Sequence, residues 1–116
     1  MKVKVPSKIK IGVHAYEVRY NPLLWHEESL KGCANHLRQT IEIDTHLAES
    51  QKLVTFLHEV NHIINDNYRC KLDEDEIDKM ASGFAELLVN NLGIEFVWSD
   101  IKELKYREVL KAKDKE

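Results

Sequence analysis

Residues 55–64 read TFLHEVNHII, which sets His58 and His62 four positions apart with Glu59 directly after the first. On an α-helix, residues four apart stand one above the other, so the two imidazoles can be aimed at one point in space. Neutral imidazole is a preferred zinc ligand. Glu59 lies about 100° around the helix from His58, within reach of a water at that point without being a ligand itself. A metal held by three protein groups and one water lowers the pKa of that water to about 7. A neighbouring carboxylate can then take its proton and pass it to a leaving amine, which is the chemistry of peptide hydrolysis. Glu59 is therefore the candidate catalytic base, and His58 and His62 are candidate metal ligands. A single Zn²⁺ per chain suits two histidines and a carboxylate.

The third ligand must come from elsewhere. His14, His36, His46 and His26 are scattered over turns and strands, and none forms a second pair. No HExxHxxGxxH extension follows, since Asn65 and Tyr68, the neighbour of Arg69, occupy the places of its glycine and last histidine. A carboxylate from the next helix remains. The segment DEDEID at 73–78 opens a run in which Ile77, Ala81, Phe84 and Leu88 recur on one face. At 100° per residue, Glu74 and Asp78 fall on the same side and one turn apart, Glu76 falls on the opposite side, and Asp75 points away. Glu74 is taken as the ligand and Asp78 as the carboxylate that orients one histidine through its free ring N–H. Exchange of those two roles, or use of Glu76, stays open. Carboxylates in a first helical turn also complement the helix dipole without any metal.

The elements that must position these groups can be read from periodicity. Lys8 to Tyr20 alternates apolar and polar residues around GVHA, which predicts a β-hairpin. NPLLWHEE breaks the alternation and predicts a connection, with a possible helical turn, that packs Leu24 and Trp25 onto the core. HLRQTIEI at 36–43 alternates again and predicts a third strand. The motif helix follows, with Leu53, Leu57, Val60 and Ile64 as its apolar stripe, Ser50 as the expected N-cap and Asn65 to Asn67 as the stop. A second amphipathic helix is expected over 73–92, capped by Asp73 and closed at Gly93. IEFVW is short and apolar, and the charged segment after it has helical spacing with Ser99 as a cap.

The predicted class is α+β: a small antiparallel-type sheet of three strands or slightly more, packed on the HExxH helix and a glutamate-bearing helix. A single domain over 1–93 and a helical tail over 94–116 are expected. At 116 residues the chain has room for one modest core. Its 17 basic and 20 acidic residues, net charge -3, give no footprint for nucleic acid. No run approaches the roughly 20 apolar residues of a membrane span, so a soluble, cytoplasmic protein acting on a peptide or protein substrate is expected, with no membrane partner. Cys33 and Cys70 lie outside any CxxC spacing, which argues against a thiolate metal site or a disulfide framework.

The order hairpin, strand, HExxH helix, glutamate helix resembles the gluzincin branch of the zincin metallopeptidases, and in size the minigluzincins. TFLHEVNHII with DEDEIDKMASGF downstream also resembles small HExxH proteins encoded by phages and prophages. The resemblance spans residues 8–92. It implies zinc bound by His58, His62 and Glu74, with Glu59 as general base and residues 37–43 lining the cleft. The Glu74 and Asp78 pair is similar in spacing to the Glu and Asp of thermolysin-like ligand helices. The resemblance further implies a latent form whose chain end, residues 94–116, covers the cleft. His14, His36, Tyr16, Tyr68 and Arg38 are all conceivable oxyanion donors, with no basis in the sequence for choosing among them.

Overall fold

The computed structural model describes residues 1–105. The expected hairpin is formed by strands β2 (Lys8–Ile11) and β3 (His14–Asn21), paired antiparallel with Ile11 opposite His14. Gly12 makes the reversal at φ 63°, a left-handed conformation that costs glycine little. A short strand β1 (Lys2–Lys4) precedes them.

Helix α1 (Leu24–Glu28) confirms the helical turn after Asn21-Pro22. Its two apolar residues part company. Leu24 is buried, whereas Trp25, expected against the core, is 55% exposed. Five residues make little more than one turn, so adjacent side chains must point to different sides.

The predicted strand over 36–43 is in fact half turn and half strand. Strand β4 (Gly32–Asn35) and strand β5 (Thr40–Asp44) form an antiparallel hairpin, and 36–39 is its tip. The Asn35 side chain accepts the Arg38 N–H at 2.9 Å, and Gln39 turns the chain at φ 54°. Leu37, which carried the apparent alternation, is almost fully exposed.

Helix α2 (Glu49–Tyr68) carries the motif. Its N-cap is Ala48 without a side-chain bond, so Ser50 lies inside the first turn. It runs past the expected stop to Tyr68 and ends at Arg69, φ 53°. Leu53 and Ile63 are its deepest apolar residues, and Ile64 is partly exposed. Helix α3 (Glu74–Glu86) follows, and a π turn (Leu87–Asn91) leads to Gly93 at φ 65°. Ile77, Ala81 and Ala85 form its buried line, while Phe84 and Leu87 are partly exposed.

The chain after Gly93 belongs to the fold. Strand β6 (Glu95–Val97) pairs in parallel with β1, and β7 (Lys102–Glu103) pairs in parallel with β3. Trp98 and Ile101 sit in the core, so the expected boundary at 93 cuts through packed side chains. The helix expected after Ser99 is absent from 100–105, where extended pairing replaces it; the rest of that expectation, 106–116, lies outside the described residues.

The main sheet runs β2-β3-β5-β4 with β7 also on β3. It is mixed rather than antiparallel, because β3 and β5 run parallel, Val18 opposite Ile41 and Tyr20 opposite Ile43. Parallel pairing requires a crossover, and α1 with the β4 hairpin arm supplies it. Val18, Ile41 and Ile43 form a buried layer in one cluster with Leu53 and Ile63 of α2. The architecture is α+β. Among the described residues no helix is long and apolar enough to cross a membrane.

Candidate metal centre and cleft

The motif lies midway along α2, where the helix passes the edge strand β4. His58 and His62 occupy successive turns of one face, and their Nε2 atoms are 3.0 Å apart. Glu59, one position on, is buried against the sheet. The ligand atoms of His58, Glu59 and His62 all lie within 4.8 Å of one another.

The short interval between His62 and the acidic segment is closed by a side-chain clamp. Asn65 donates to the Leu72 carbonyl at 3.2 Å and accepts the Leu72 N–H at 2.9 Å. Arg69 and Lys71 take left-handed φ values of 53° and 60°. The chain therefore reverses at once, and α3 returns beside the last turns of α2. Asp73 starts it with a capping box: its carboxylate accepts the Glu76 N–H at 2.8 Å, and Glu76 accepts the Asp73 N–H at 3.0 Å.

That reversal brings the sequence-selected carboxylates to the histidines. Glu74 Oε1 is 2.7 Å from His58 Nε2, and Glu74 Oε2 is 2.9 Å from His62 Nε2. Asp78 Oδ1 is 3.2 Å from His58 Nδ1. Glu76 is spent on the cap, and Asp75 pairs outward with Lys79 at 2.8 Å. The angular ranking of the four carboxylates thus matches where they lie.

The His58 ring lies between two carboxylates, Asp78 at Nδ1 and Glu74 at Nε2, and both can only accept. With its proton on Nδ1 toward Asp78, the ring would turn an Nε2 lone pair to the point where His62 Nε2 and Glu74 also meet. Three electron-rich groups converge on one point, an arrangement that a divalent cation neutralises and that His₂–carboxylate chemistry suits. His58, His62 and Glu74 fit such an ion.

Burial pushes the Glu59 carboxyl above the ordinary glutamate value, and Glu74 adds to the rise. His58, His62 and a hydrogen bond from the Ala34 backbone N–H oppose it. A carboxyl raised in this way is a better base than a solvated one. Ala34 sits on β4, and β4 can come this close only because Gly32 has no side chain. A Cβ there would lie 2.5 Å from Thr55 Cγ2 and 3.2 Å from Glu59 Cγ.

A cleft of about 760 Å³ runs along α2 between that helix and β4. At its far end His36 Nε2 pairs with Asp66 at 2.8 Å, and Tyr16 Oη is 3.2 Å from His36 Nδ1. Of the conceivable oxyanion donors, His36 is the one that lines this cleft. Both its ring nitrogens are engaged, so it ties the β4–β5 tip to α2. Asp66 continues the His58, His62 spacing by one more turn, a signal present in the sequence but unread. Gly32 and the Ala34 amide had no signal, because backbone approach leaves no trace in residue type.

Residues 12–104 match the peptidase M78 family, described as an IrrE N-terminal-like domain. The chain belongs to this family. Its type is that of zincin-like HExxH metallopeptidases, in accord with the small α+β fold and the His58, Glu59, His62 cluster. Comparisons with curated proteins and with solved structures returned no match.

Proposed function

We propose that this M78 domain is a zinc-dependent metallopeptidase, in which His58, His62 and Glu74 hold the ion and Glu59 is the general base. The observation that carries this reading is the meeting of Glu74 with both imidazole Nε2 atoms, at 2.7 and 2.9 Å, beside a buried carboxylate. When bound, zinc supplies a Lewis acid that polarises a carbonyl and brings a water's pKa to about 7.

The chain's own groups do the rest. Asp78 holds the His58 ring through Nδ1–H and raises its basicity. Glu59, buried beside both histidines, removes a proton from water and delivers it to the departing amine. The Ala34 N–H keeps the Glu59 carboxylate turned toward the cleft. Among the described residues strand β4 pairs with β5 alone, so an extended peptide can lie along its other edge.

Glu59→Gln tests the reading. It should abolish hydrolysis of a peptide library while leaving metal content intact, because it removes the base and none of the ligands. A variant that cleaves as well as the wild type would refute the assignment. The competing reading, a zinc-stabilised module that binds a partner by strand addition without cleaving it, predicts no hydrolysis by either form and a loss of stability on chelation.

A further inference from the structure

The cleft is chemically graded along its length. Helix α2 presents Val54, His58, His62 and Asp66 to it on successive turns. Trp25 and Leu30 also line the cleft; Gly32 lies against Thr55 and His36 against Asp66, so Leu30, two residues before Gly32, and Trp25, bonded to Ser29, belong to the Val54 end. Both are large apolar side chains that face solvent, 55% and 40% exposed. The opposite end is closed by the His36 and Asp66 pair.

The exposure of Trp25 is built in. Leu24 beside it is 2% exposed and anchors α1 in the core. The Trp25 backbone N–H donates to Asp44 at 2.9 Å, and its carbonyl accepts the Ser29 N–H at 2.9 Å. Ser29 turns the chain at φ 55°, a left-handed value unusual for serine, and Leu30 then bonds back to the Leu24 carbonyl. Such strain is kept where the surroundings hold it. Here it places Leu30 on the same wall as Trp25.

From these observations we infer that Trp25, Leu30 and Val54 form a specificity pocket for an apolar side chain of the substrate. The proposal rests on reading the cleft as a peptide site. Val54 is one turn, about 5.4 Å, from His58. An extended peptide advances about 3.3 Å per residue. The pocket thus takes a side chain one or two positions from the bond at the metal centre. An aromatic or large aliphatic residue there removes apolar surface from water on both partners, which multiplies affinity roughly 10- to 100-fold over a charged one. Pockets of this kind, mostly apolar with a few convergent polar groups, are the usual form of ligand sites.

The test uses zinc-loaded Glu59→Gln protein, which binds without turnover, and tryptophan-free Gly/Ser peptides that differ at one position: Phe, Leu, Ala or Asp. Binding is read by calorimetry. The Phe and Leu peptides are expected to bind at least tenfold tighter than Asp. Trp25→Ser and Leu30→Ser, both at partly exposed positions and checked by circular dichroism, should each flatten that preference. Equal binding of all four peptides, absence of binding, or a preference unchanged in both variants would overturn the proposal. Failure of the peptidase reading is seen separately, as absence of hydrolysis by the wild type while the Phe preference persists.

Discussion

Glu74 Oε1 lies 2.7 Å from His58 Nε2, across the seam between two helices joined by the turn 69–73. Two local devices create that contact. The Asn65 clamp on Leu72 reverses the chain, and the Asp73 capping box sets where α3 begins. Glu74 is the first residue of α3, so its position depends directly on that cap.

The cap is therefore expected to matter twice. Asp73→Ala should lower stability by about 1 kcal/mol, the usual worth of such a residue. It should also weaken metal binding, because the first turn of α3 frays with Glu74 in it. Urea unfolding and zinc titration of the same variant measure both. An unchanged zinc affinity in a destabilised variant would show that Glu74 is held by something other than its helix.

In the proposed centre Asp78, 3.2 Å from His58 Nδ1, would act through that histidine rather than on the ion. Asp78→Ala should reduce zinc affinity about 10- to 100-fold, the typical cost of losing an outer partner of a metal-bound imidazole. Glu74→Ala should cost more. Competition with a chromogenic chelator ranks the two, and a larger loss for Asp78 would exchange their roles.

Gly32 is predicted to admit no side chain. The 2.5 Å approach of a Cβ to Thr55 Cγ2 makes Gly32→Ala destabilising by about 1–3 kcal/mol, in the range of core overpacking. Thr55→Ser removes that methyl and should recover most of the loss. A double-mutant cycle in denaturant gives the coupling, and additive effects would deny the contact.

Glu42, on β5 beside Arg19 of β3, is pushed above the ordinary glutamate pKa by burial, and nearby Glu28 adds to this while Arg19, Asn21 and Arg38 oppose it. A raised folded-state value means that the native protein binds the proton more tightly than the unfolded chain. Its contribution to stability is full below the unfolded pKa, near 4.3, and is lost as pH rises through the folded value. Glu42→Gln should then gain on the wild type between acidic and neutral pH. Unfolding curves across that range check it, and a difference that stays flat with pH would contradict it.

Much of the centre was legible because helical geometry is regular. His58 and His62 share a face by spacing alone, and 100° per residue separated Glu74 and Asp78 from Asp75 and Glu76. The hairpin from Lys8 was equally plain from its alternation. What stayed hidden depended on tertiary context. Leu37 continued a pattern that a hairpin tip interrupts, and the charged residues after Ser99 masked a strand that forms only because β3 offers an edge. Leu24 and Trp25 both looked like core, but α1 buries Leu24 and leaves Trp25 exposed. The tie from His36 to Asp66 joins two elements whose approach no single-chain pattern encodes.

The central claim is that His58, His62 and Glu74 make one metal site. Metal content by plasma mass spectrometry, on untagged protein purified without chelators, addresses it directly. The wild type should carry about one zinc per chain, and His58→Ala and Glu74→Ala should each lose it. A wild type without metal, or zinc retained in folded Glu74→Ala protein, would contradict the account.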